Sequence, residues 1–214
     1  MTTATPILYG ARYSTYTRSA LMALAAKRVA HHFESIDIFG PEARAKKYDA
    51  IHPFMKIPAL RHDDFTIYET NAINRYIDEA FPGPSLQPDG LANRTRMNQI
   101  ISMADSYGYR TLVWDIYVEA ISNPRDGLPT DEARVASAFP RAKTLLSALS
   151  GLVADQPYLT GEAPSLADFH LAPQFGYFVE AKEGRDLLAE YPNLAAWWDR
   201  IVELPAWQTA AVEG

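Results

Sequence analysis

Cysteine is absent from all 214 residues. This excludes disulfides, thiolate metal sites and any reaction in which the protein supplies its own thiol. A basic block is also missing: the net charge is −6, and Arg44, Lys46 and Lys47 are too few to make a nucleic-acid footprint. The longest apolar runs, such as "ALMALAA", fall far below the roughly 20 residues of a membrane span. The opening "MTTATP" lacks the basic and apolar regions of a secretory signal, so a cytoplasmic protein without membrane or nucleic-acid partners is expected. No internal repeat or low-complexity tract occurs, and no His/Asp/Glu spacing resembles a metal site, so no metal is expected.

What is present is the composition of an ordinary globular protein, 48% hydrophobic and 21% charged, in a chain long enough for two small domains. Residues 6 to 9, "PILY", read as a strand ending at Gly10. After a short polar loop, Leu21, Met22, Leu24 and Ala25 recur at helical spacing. "HFESIDIF" alternates as a half-buried strand, completing a βαβ unit, and "GPEARAKKYDAI" reads as a loop with a short helical turn. "HPFMKIPAL" is an extended run between prolines, "HDDF" turns into "TIYE", and "TNAINRYIDEAF" puts Ile73, Tyr76, Ile77 and Phe81 on one helical face. The Pro/Gly-rich "PGPSLQPDG" can continue neither helix nor central strand and is the expected domain boundary. Beyond it, residues 91 to 120, 131 to 154, 165 to 182 and 193 to 203 all show helical periodicity. The expected layout is an α/β domain over 1–82, a linker over 83–90 and an all-helical domain over 91–214.

Two stretches carry possible chemistry. In "KIPALRHDDFTIYETNAI", a cis bond before Pro58 would aim the backbone of Ile57 outward, ready to pair with an extended peptide. Thr70, at a strand-to-helix junction, would cap the helix and frame a carboxylate pocket, and Glu69 could hold an ammonium group. Together these describe one end of a small peptide, although a turn proline and a plain helix cap would explain the same residues. The second stretch, "LYGARYSTYTRSALMALAAK", crowds hydroxyls (Tyr9, Tyr13, Ser14, Thr15, Tyr16, Thr17) at the start of the first helix.

The run "HPFMKIPAL" followed by "YETNAINRYI" resembles the glutathione-site signature of the cytosolic glutathione transferases, with His52 in place of the usual Asn, Thr70 in place of Ser and Met55 in place of a frequent Gly. Downstream, "YLTGEAPSLADFHLAP" resembles the family's Ser/Thr-x-Ala-Asp box, in which Ser165 and Asp168 have capping-box spacing and a structural role. The resemblance spans nearly the whole chain. It implies a thioredoxin-like N-terminal domain, an all-α C-terminal domain, a homodimer and glutathione as co-substrate.

Glutathione's thiol would then be the nucleophile. An unperturbed thiol, with a pKa of about 8.5, is only a few per cent ionised at neutral pH; a drop of two units requires about 2.7 kcal/mol, and a hydroxyl donor at a helix N-terminus can contribute to it. The register of "GARYSTYTRSAL" resembles the serine-type branch, such as the plant phi-class enzymes, which implies Ser14 as the thiolate-stabilising residue, with Tyr9 as rival. A covalent serine mechanism lacks its elbow motif and base, because His31 and His32 lie a helix length away, roughly 20 Å. By resemblance, Lys56 pairs with the glycyl carboxylate, Ile57 offers its backbone to the cysteinyl moiety, and Glu69 and Thr70 hold the γ-glutamyl end. Arg44 is a further candidate for the glycyl carboxylate, with solvated charge as its alternative, and Arg18 is read as structural. Arg12, Tyr13 and Tyr16, with Tyr109 and Trp114 chosen from the downstream cluster that also holds Tyr107 and Tyr117, are the expected hydrophobic substrate site between the domains. The implied activity is conjugation to small hydrophobic electrophiles. Alternatives are a glutathione-dependent isomerase, peroxidase or dehalogenase, or a non-catalytic binding or assembly module of the same fold.

Overall fold

The computed structural model describes residues 4–40 and 47–211. The chain forms two compact units, Met1–Leu86 together with Leu204–Gly214, and Gln87–Glu203.

In the first unit, β1 (Ile7–Gly10), α1 (Thr15–Ala26) and β2 (His32–Ser35) make the expected βαβ unit, with β1 and β2 parallel. β2 is shorter than its alternating pattern suggests: it ends at Ser35, and the Ile36 N–H makes one more bond, to the Gly10 carbonyl. β3 (Ala59–His62), β4 (Phe65–Tyr68) and α2 (Thr70–Ala80) follow, giving a four-stranded sheet of order β2-β1-β3-β4. Of the helical turn expected in "GPEARAKKYDAI", a 3-10 turn at Tyr48–Ala50 is present; residues 41–46, which include Arg44, lie outside the described residues. The end of α1 is tied down by a buried lysine. The Lys27 ammonium pairs with Asp78 Oδ1 at 3.1 Å and donates to the carbonyls of Asp78 and Pro84, while Asp78 accepts the Leu86 N–H. A buried cation persists only with such partners.

The register of this sheet positions the site. β3 runs antiparallel to β1 with Ala59 opposite Tyr9, and β4 antiparallel to β3 with Tyr68 opposite Ala59. The end of β1, the start of β3 and the end of β4 therefore lie at one end of the sheet.

The second unit is built from α3 (Leu91–Met103), α4 (Ala104–Ser122), α5 (Glu132–Val153), α6 (Leu166–Phe178), α7 (Lys182–Ala189) and α8 (Pro192–Val202). The helix expected over 165–182 ends at Phe178, and a further helix, α7, begins at Lys182. Gly184 of α7 approaches the Phe178 carbonyl so closely that a Cβ would sit 2.1 Å from it, so α7 folds back against the end of α6. α4 is wound as a π-helix, with i→i+5 bonding, where the periodicity suggests a continued α-helix. The last helix, α9 (Pro205–Thr209), belongs to the first unit and packs along α1.

Candidate active site

At this end of the sheet, β1 passes through Gly10 into a loop that Ser14 closes as the N-cap of α1. Its backbone is extended (φ −75°, ψ 124°), and its Oγ accepts the Thr17 N–H at 3.3 Å. Ser14 is half-buried, and among the described residues nothing accepts its hydroxyl hydrogen. A cap in this state has spent a lone pair on its own helix and keeps its proton to donate outward, at the positive end of a helix of 12 residues.

Beside it, the Ile57–Pro58 peptide bond is cis. The Ile57 side chain is buried with Tyr9, Ala11, Ile36, Tyr48 and Ala59, whereas among the described residues nothing bonds to its backbone N–H or carbonyl. The core thus holds the residue while leaving its peptide groups available. The preceding carbonyl, that of Lys56, accepts the Tyr48 hydroxyl at 2.9 Å, and the Lys56 side chain is exposed. Burial, with the Tyr9 phenol as a lesser cause, pushes the Tyr48 phenol far above its usual range and keeps it a donor.

The third component is the junction of β4 and α2. Thr70 was expected to cap the helix; instead Glu69 occupies the N-cap position and Thr70 is the first helical residue. Glu69 has φ 71° and ψ 117°, a strained conformation for a residue with a Cβ, which turns the strand sharply into the helix. No side chain caps α2, so the N–H groups of its first turn remain available to an anion beside the buried Thr70 hydroxyl. The Glu69 side chain is exposed.

Ser14, Lys56, Ile57, Glu69 and Thr70 are therefore brought to one end of one sheet. Tyr9 is there as well, but its ring is packed in the core, 6.2 Å from Tyr48 and beneath the Arg61 guanidinium. In the loop before α1, Arg12 lies over the Phe33 ring and exposed Tyr13 stacks on Phe39 with centroids 6.1 Å apart; Tyr16, in the first turn of α1, is half-buried. In the helical unit, Tyr109 and Trp114 are half-buried and meet edge to face at 6.4 Å; burial raises the Tyr109 phenol, opposed by a hydrogen bond to Trp114. Tyr107 is exposed, and Tyr117 stacks on Tyr177 in a core cluster against which Tyr109 also packs. Arg18 is structural, its Nε donating to the Ala210 carbonyl and its guanidinium lying 4.4 Å above Trp207.

Sequence reasoning missed Tyr48, which pins the Lys56 carbonyl from eight residues upstream, and the depth at which His52 sits. His52 is 2% exposed, with its ring 4.8 Å from Tyr68. A Tyr in "KKYDAIHPF" is visible in the sequence, but its hydroxyl partner, a backbone carbonyl, is not.

The family models of the glutathione S-transferase N-terminal and C-terminal domains match residues 8–85 and 101–205. The chain belongs to the glutathione S-transferase family. Among curated members, it is 29% identical over 199 residues to glutathione S-transferase F14 of Arabidopsis thaliana, covering 91% of this chain and 78% of that one. With F10 of the same plant it shares 28% identity, covering 92% of each. The solved structure of glutathione transferase F7 from Populus trichocarpa superposes with a TM-score of 0.84 at 26% identity, over 96% of this chain and 97% of that one. These plant relatives are of the phi class. As in the serine/aspartate box expected of a glutathione S-transferase, Ser165 and Asp168 cap α6 reciprocally: Asp168 Oδ2 accepts the Ser165 N–H at 2.7 Å and the Ser165 hydroxyl at 2.8 Å.

Proposed function

We propose that this glutathione S-transferase holds glutathione at the end of its sheet, stabilises the thiolate through the Ser14 hydroxyl and transfers it to small hydrophobic electrophiles, as a cytoplasmic homodimer. The observation that carries this reading is the state of Ser14, a half-buried N-cap whose oxygen serves α1 and whose proton has no acceptor among the described residues. A thiolate receiving that proton in a hydrogen bond lies near the positive end of α1, and both interactions favour the ionised sulfur.

Around it, Ile57 presents an N–H and a carbonyl to the cysteinyl moiety, Lys56 meets the glycyl carboxylate, and Thr70 with the first-turn N–H groups of α2 receives the γ-glutamyl carboxylate, with Glu69 on the ammonium. Arg44 remains a candidate for the glycyl carboxylate. Arg12, Tyr13 and Tyr16, with Tyr109 and Trp114 of the helical unit, are the proposed contacts of the electrophile.

The test is the ultraviolet titration of bound thiolate. Ser14→Ala should raise the pKa of the bound thiol by about one to two units, towards the free value of about 8.5, the helix end keeping the remainder; that is about 1.5–2.7 kcal/mol of lost stabilisation. Tyr9→Phe should leave it in place. An unchanged thiol pKa in Ser14→Ala, with a shift in Tyr9→Phe, assigns the role to the tyrosine instead.

A further inference from the structure

His52 is a buried titratable group at this site that the thiolate chemistry does not use. Its ring sits among Tyr68, with centroids 4.8 Å apart, and Tyr48 and Phe54, each at 6.3 Å. Its Nδ1 is fully buried and bonds no other residue's side chain among the described residues. Its backbone shapes the approach to Ile57: the N–H donates to the Tyr48 carbonyl at 2.8 Å, and the carbonyl accepts the Met55 N–H at 2.9 Å. The ring thus touches the 3-10 turn whose Tyr48 pins Lys56, the turn that leads to Ile57, and the end of β4 from which Glu69 and Thr70 depart.

We propose that His52 is a positioning residue that makes glutathione binding sensitive to pH: the neutral ring clamps the Lys56–Ile57 turn to the end of β4, and a proton on the ring releases them. The inference rests on reading this end of the sheet as the glutathione site. The described titratable groups around the ring are the Tyr48 phenol from the 3-10 turn, Lys56 from the turn itself, the Tyr68 phenol from β4 and the Glu69 carboxylate at the head of α2. A neutral imidazole is an ordinary member of such an aromatic cluster. An imidazolium would put a charge and a second ring N–H into it, at an Nδ1 that no other residue's side chain bonds among the described residues.

Burial lowers the His52 pKa from its usual value; Glu69 and a hydrogen bond to the residue's own backbone oppose the shift, and Lys56 adds to it. The arrangement with His52 neutral is complete near neutral pH. It gives way as the pH falls through the lowered value, because the imidazolium leaves the cluster for water and the Ile57 backbone and Glu69 lose their support.

Isothermal titration of the full chain with S-methylglutathione, which has no thiol to ionise, tests this from about pH 5 to about pH 7.5, where imidazoles titrate. The wild-type affinity should fall towards the acid end, approaching about tenfold per pH unit below the His52 pKa, and binding there should release protons, read from the dependence of the heat on buffer. In His52→Asn, and in His52→Phe, which keeps the aromatic packing, this fall should flatten. An equal pH dependence in all three chains overturns the proposal. If neither variant folds by circular dichroism, the wild type alone decides, since no proton release at the acid end also overturns it. Absence of S-methylglutathione binding by the wild type at any pH sinks the glutathione site itself, an outcome distinct from binding that ignores pH.

Discussion

A methyl group added at Gly10 would meet the Thr17 hydroxyl at 2.5 Å and its Cγ2 at 2.6 Å. Thr17 is also the residue whose N–H fixes the Ser14 oxygen, so the missing side chain at the end of β1 sets how closely the first turn of α1, and its cap, approaches the sheet. Gly10→Ala should therefore displace Ser14 without altering it. The expected loss in kcat/KM is between about tenfold and about a hundredfold, with a rise in the pKa of the bound thiol. Adding Thr17→Ala removes the two nearest atoms and leaves the 3.2 Å contact with Cβ as the nearest, so the double variant should recover part of the loss; a double variant no better than the single one would refute this steric chain. At this scale the sequence showed which residue types could act. That the first helix begins at Ser14 was legible because capping is local, a hydroxyl and an N–H three residues on, whereas its part in thiolate chemistry rests on the proposal. Tyr48 and His52 were not, because their partners are a backbone carbonyl and rings brought together by packing.

Among the elements, the start of α6 was the most legible and α4 the least. The S-x-x-D spacing specifies its own reciprocal bonds wherever it starts a helix. In α4, by contrast, Ala104, Gly108, Leu112 and Ile116 are buried at intervals of four, a spacing that α and π winding both accommodate, so the pattern could not choose between them. The box at α6 also does more than cap. Asp168 Oδ1 accepts the Leu159 N–H at 2.9 Å and the Trp197 Nε1–H at 2.8 Å, joining the preceding loop and α8 to the cap. Burial pushes its carboxyl pKa up, and these donors, with Ser165, pull it down. Asp168→Asn keeps the volume but replaces one acceptor oxygen with an amino group that faces donors. It should cost the helical unit about 3 kcal/mol in urea denaturation and shift the emission of Trp197, whose Nε1–H loses its carboxylate. A variant as stable as the wild type would show that the cap, and not this wider junction, is all that Asp168 serves.

Across the whole molecule, an α/β first half and a helical second half followed from periodicity, and the Pro/Gly-rich stretch falls where one compact unit gives way to the other, at Leu86 and Gln87. The return of Leu204–Gly214 to the first unit did not follow, since "LPAWQTAAVEG" carries a helical pattern and nothing in it names a partner. The partner is α1. Ala206 and Ala210 are buried there, and Arg18, only 5% exposed, places its guanidinium on the Trp207 face and bonds the Ala210 carbonyl. Ending the chain at Glu203 would strip these contacts from a cation held inside the unit that carries Ser14, at a cost of about 3 kcal/mol or more. Scanning calorimetry should then show a lower thermal midpoint, and limited proteolysis should cut the first unit before the second. Arg18→Met in the shortened chain should restore part of the midpoint, because it removes a buried charge that has lost the Ala210 carbonyl and the Trp207 face and keeps an apolar stem against the uncovered helix. A shortened chain that melts with the wild type would mean that α1 is held by its own sheet and that the returning segment is not needed to position Ser14.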